Sequence, residues 1–95
     1  MLDVNLNNWT VNDDGSTVIS YRVVNGAFRK ETQPDPMNPG ATVETDVFGA
    51  DTEVEAGEVK VNATLDDAGV RAFIASIANS RSAALGIPLR PDFQP

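Results

Sequence analysis

In separate stretches between residues 2 and 64 apolar side chains recur at alternate positions, and the spacing changes to three and four only once, between Thr64 and Gly86. A period of two belongs to a strand with one buried face, and a period near 3.6 to an amphipathic helix. Alternating runs divided by turn residues and followed by one helical stripe confine the chain to an antiparallel sheet covered by one helix. With 95 residues it holds one domain and one core.

The first run, Leu2, Val4 and Leu6, resumes at Trp9 and Val11 with its phase slipped by one, so a bulge is expected near Asn7-Asn8. Asn12-Asp13-Asp14-Gly15 supplies a tight turn. Ile19, Tyr21 and Val23 then share one face of a second strand over 17–24. Asn25-Gly26 reads as another turn, with the strand pattern briefly prolonged in "AFRKETQ". "PDPMNPG" makes residues 33–40 a loop. Alternation returns in 41–48 and 53–64, with Gly57 turning the chain between Val54 and Val59. Thr64 opens the helix as the first residue of a capping box. Val70, Phe73, Ile74, Ile77 and Ala78 form its apolar stripe, and Gly86 with Pro88 ends it, giving a helix over 65–84. The expected fold is α+β: an antiparallel sheet of four to five strands in two hairpins, one C-terminal helix packed on it, and an extended proline-rich tail. Residues 1–86 form the domain and 87–95 the arm.

The inventory of chemistry is short. With no histidine there is no Ser-His-Asp arrangement and no ordinary catalytic zinc site, and with no cysteine there is no disulfide or thiolate ligand. The acidic window 44–58 holds Glu44, Asp46, Asp51, Glu53, Glu55 and Glu58, but nothing apolar is placed to raise one carboxyl for acid catalysis. Aligning Gly15 with the glycine of a calcium-binding EF-hand loop puts Thr10 and Tyr21 where acidic ligands are required, so that motif fails. No phosphate-binding glycine loop is present. Arg71 and Arg81 lie about 15 Å apart along the helix on opposed phases and read as exposed or locally paired. No cofactor, no metal and no enzymatic activity are expected.

Fourteen acidic residues against seven basic ones give a net charge of −7, which opposes nucleic acid and anionic membranes as partners. No apolar run approaches the ~20 residues that span a bilayer, and the first residues lack a signal-peptide pattern; the expected location is a virion or its host's cytoplasm. The sequons at Asn8 and Asn62 are chance matches in that setting.

The most informative stretch is "IPLRPDFQP", residues 87–95, where proline forbids a helix but leaves Ile87, Leu89 and Phe93 to be covered. Full burial of the three contributes on the order of 4–6 kcal/mol. Either the tail lies on the chain's own sheet or helix, or it crosses to a neighbour. Pro88-Leu89-Arg90-Pro91 matches the short P-x-x-P pattern of polyproline ligands, which is common by chance. Ile87, Leu89, Arg90, Phe93, Met37 in the 33–40 loop, and Trp9 are the candidate partner contacts. In composition and layout the chain is similar to small accessory proteins of bacteriophage particles, of the capsid cement or decoration kind. No motif carries that similarity, so no residue role comes with it. It implies a non-enzymatic structural protein, homo-oligomeric, docked on a capsid or other virion lattice protein. The alternative is a small acidic inhibitor whose 44–58 window occupies a nucleic-acid-binding groove.

Overall fold

The first two alternating runs pair as expected, with the Asp14-Gly15 turn between them. In the computed structural model, which describes residues 1–95, β1 (Leu2–Val11) runs antiparallel to β2 (Thr17–Pro34), β2 to β3 (Thr42–Val61), and α1 (Asp67–Leu85) follows. The sheet has the order β1-β2-β3. Leu6 faces Tyr21 and Trp9 faces Ile19, with the register shifting between Leu6 and Asn8, so the phase slip is absorbed as a bulge.

The molecule has three strands instead of four or five, because two glycines that resemble turn residues are clearance points inside continuous strands. A Cβ on Gly26 would run into the Gly49 carbonyl of β3, and one on Gly57 would lie 2.8 Å from the Tyr21 hydroxyl. In both places glycine admits a neighbouring group and the chain does not reverse. β2 and β3 therefore continue as partners out to Pro34↔Thr42.

Leu2 and Val4 of β1, Ile19, Tyr21 and Val23 of β2, and Val70, Ile74 and Ala78 of α1 form the buried core. Phe73 and Ile77, the rest of the helical stripe, pack at its margin. The helix starts later than expected, at Asp66, whose side chain accepts the Gly69 N–H at 2.8 Å. Thr64 is not the cap, because its hydroxyl donates to the Gly15 carbonyl at 2.7 Å. The buried Thr17 hydroxyl donates to the Ala63 carbonyl at 2.8 Å and accepts the Leu65 N–H at 2.9 Å, fastening the helix entry to β2. At the other end Gly86 takes the left-handed C-cap at φ 65°.

β1 ends against Asn25, and beyond that point β2 and β3 continue as a two-stranded ribbon from Gly26↔Ala50 to Pro34↔Thr42. At the rise of an antiparallel strand these nine pairs extend about 30 Å. The radius of gyration is 16.9 Å and the extents are 56 × 31 × 17 Å, whereas a compact chain of this length has a radius near ~12 Å. Two residues of β3, Val54 and Asp51, have no partner opposite them, because Val23↔Glu55 is followed by Val24↔Glu53 and Asn25↔Thr52 by Gly26↔Ala50. Both irregularities sit where three strands become two.

Candidate interaction site

The tail lies on its own chain. Leu2 donates to the Pro88 carbonyl at 2.8 Å and accepts from the Arg90 N–H at 2.9 Å, making a parallel bridge between Leu2 and Leu89 on the outer edge of β1. Ile87, Leu89 and Phe93 pack half-buried against the core. The Ser82 hydroxyl holds the Ile87 carbonyl at 2.7 Å, and Arg71 reaches the Pro95 carbonyl at 2.8 Å. Of the two dispositions open to the tail, it takes the intramolecular one in this single chain.

Arg90 occupies the centre of this region. Its guanidinium binds Asp92 with two N–H groups at 2.6 and 2.7 Å and Asp3 at 3.2 Å. It also lies 4.3 Å from the Phe48 ring centroid and 5.4 Å from that of Phe28, within range of cation–π attraction. The two rings meet edge to face at 5.6 Å. Because Phe28 and Phe48 are paired near the foot of the ribbon, the tail braces the ribbon as well as the core. The Asp92 carboxyl is held below its ordinary value, first by the Arg90 hydrogen bonds. The same bonds to Asp92 raise Arg90 further above its already high value. An open groove of about 410 Å³ beside them is lined by Asp3, Asn5, Arg90, Asp92 and Phe93. Its charged groups are already satisfied by one another.

Of the six residues singled out from the sequence, Ile87, Leu89, Arg90 and Phe93 are thus brought together. Trp9 lies apart, half-buried against the core opposite Ile19. Met37 is at the far tip of the ribbon, 84% exposed. There Asp35 accepts the Met37 N–H at 2.9 Å and its own N–H reaches the Ala41 carbonyl at 3.0 Å, shaping the turn. Sequence reasoning missed Phe28, Phe48 and Asp3. The signal for the first two was present, since they are equidistant from the proline-rich turn and so fall opposite each other in a continuous hairpin.

The acidic window runs along β3, and basic residues from other elements meet much of it. Lys30 binds Asp46 at 3.0 Å, Arg22 lies 3.6 Å from Glu53, and Arg29 pairs with Asp51. Arg81 grips Glu55 with bonds of 2.7 and 3.2 Å, so it joins the helix to β3 and is not merely exposed. Arg71 pairs within the helix, with Asp67 at 2.8 Å. Glu44 and Glu58 have no such partner, and no three acidic side chains converge on one point. No family model matches the chain, and neither a curated protein nor a solved structure shows significant similarity to it.

Proposed function

We propose that this chain is a non-enzymatic structural protein that docks on a larger protein assembly through its projecting ribbon, in the manner of a small virion accessory protein. The observation that carries this is the ribbon itself. About 30 Å of two-stranded sheet extends past the core with only its foot braced, ending on an exposed Met37 between prolines. An isolated two-stranded ribbon is marginal in water, and three strands or a packed face are what stabilise it. Length maintained without a core of its own favours use as a contact surface. The alternative of an acidic inhibitor has less support, because four of the six carboxylates in 44–58 are already ion-paired within the chain.

The test is to replace residues 30–46 by Asn-Gly, closing the hairpin just above Phe28 and Phe48. The shortened chain should retain the thermal unfolding of the body, while losing the co-sedimentation that the full chain shows with particles from its source. A full chain that never sediments with particles would sink the docking function, and undiminished sedimentation of the shortened one would sink the ribbon as its contact.

A further inference from the structure

The ribbon has two open edges of different character. The outer edge of β3 has no partner strand along Thr42–Val61, and that of β2 is open from Ala27 to Pro34, beyond Gly26, whose N–H donates to the Met1 carbonyl at 2.8 Å and whose carbonyl accepts from the Met1 amino group at 2.8 Å. Bulges blunt the inner half of the β3 edge at Asp51 and Val54. Its outer half, residues 42–50, has neither bulge nor proline. The facing stretch of β2 has one proline, at its last residue. Two regular edges at the same height, Ala27–Pro34 of β2 and Thr42–Gly49 of β3, are left without a covering strand, and only charged side chains and the terminal proline of β2 guard them.

Charge selects among the ways these edges can meet. The outer half of β3 carries Glu44 and Asp46 and no basic residue, and the outer half of β2 carries Arg29 and Lys30 against Glu31. Two β3 edges placed together bring net negative against net negative, and two β2 edges net positive against net positive; β3 against β2 sets net negative beside net positive and extends from chain to chain the Lys30–Asp46 pairing already made within each. Strand polarity permits this last arrangement, since copies repeated side by side continue the antiparallel order β2-β3-β2-β3. We infer that the occupant of these edges is a second copy of this chain, with residues 42–49 of one copy pairing antiparallel with residues 27–34 of the next. Such a contact is head-to-tail, and repeated it gives a ring where its rotation closes and an open filament where it does not. The inference rests on the docking function only in taking the ribbon as a contact surface, and its test uses the purified chain without any particle.

The chain has no cysteine, so single cysteines report the contact cleanly. Glu44→Cys is co-refolded in turn with Thr32→Cys and Lys30→Cys, the first opposite Glu44 in the ribbon register and the second allowing a two-residue slip. Mild oxidation of one of these mixtures should give a hybrid disulfide, in a sample whose native mass is a multiple of 10.1 kDa. Glu44→Cys alone should give none, because like strands are then about 9.6 Å apart, beyond the ~4.5 Å Cβ separation a disulfide allows. Cross-linking of Glu44→Cys to itself would overturn the arrangement in favour of β3 against β3. A monomer mass at about 100 μM with no hybrid from either mixture would overturn the pairing altogether, while leaving docking on particles untouched. Far-UV circular dichroism of each variant, all at exposed positions, confirms that the fold is intact.

Discussion

Arg90→Ala removes a side chain that touches β1, the ribbon foot and the tail together. Its side chain is 21% exposed and that of Asp3 is 15% exposed, so their ion pair is better shielded than an ordinary surface pair, which contributes about 0–1 kcal/mol. Leaving Asp3 half-buried without its partner costs about 1 kcal/mol, well below the 3–5 of a fully buried pair because water still reaches it. Loss of the cation–π contacts at 4.3 and 5.4 Å adds about 1 kcal/mol at this exposure. The exposed Asp92 bonds are given no weight. The total of about 2 kcal/mol lowers Tm by roughly 8–16 °C in a domain of this size, read by circular dichroism melting. Arg71→Ala is the control: its pair with Asp67 joins side chains that are 53% and 64% exposed and stabilises by only about 0.3–0.5 kcal/mol, and its bond to the Pro95 carbonyl is likewise exposed, so the loss stays well below that of Arg90→Ala. Arg90→Lys keeps the charge but loses the planar fork and the stacking, and should fall between wild type and Arg90→Ala. If Arg90→Ala melts within about 2 °C of Arg71→Ala, the latch is decorative and the reasoning fails.

Gly57→Ala places a methyl 2.8 Å from the Tyr21 hydroxyl and 2.9 Å from Cζ; overpacking of this kind costs about 1–3 kcal/mol in urea unfolding, and a neutral result would mean that Gly57 is not a clearance point. Acid should also weaken the fold in a defined window. The Asp92 carboxyl is depressed by its Arg90 hydrogen bonds, and that of Asp14 by the hydroxyl and N–H of Ser16. A carboxyl depressed in the folded state contributes stability that is fully present well above the ordinary value of 3.8 and is lost as pH falls through the lower folded value. The double variant Asp14→Asn, Asp92→Asn should therefore show a shallower loss of urea midpoint below about pH 4; an acid slope identical to wild type would refute the assignment.

How much of this was legible depends on how local the deciding contact is. The helix could be read because its stripe and Gly86 lie within one segment, and the β1 bulge because Leu6 and Trp9 report the slip themselves. Thr64 and Asp66 are both capping residue types, and what separates them is a hydroxyl drawn to Gly15, far away in sequence. Gly26 and Gly57 misled for a related reason. Absence of a Cβ serves a turn and a close approach equally well, and only Gly49 and Tyr21 on the facing strand distinguish the two. The tail advertised its apolar residues but not their cover, because Arg90 reaches Asp3 across nearly the whole chain.

The placement of the two β3 bulges has a mechanical consequence. They form a joint at the base of a lever about 30 Å long, so a swing of ~10° there carries Met37 through roughly 5 Å, more than the spacing between neighbouring strands. Small adjustments in how Arg90 seats against Phe28 and Phe48, or Arg29 against the bulged Asp51, are thereby magnified at the far end. Where the tip aims is governed by a few side chains at the fulcrum.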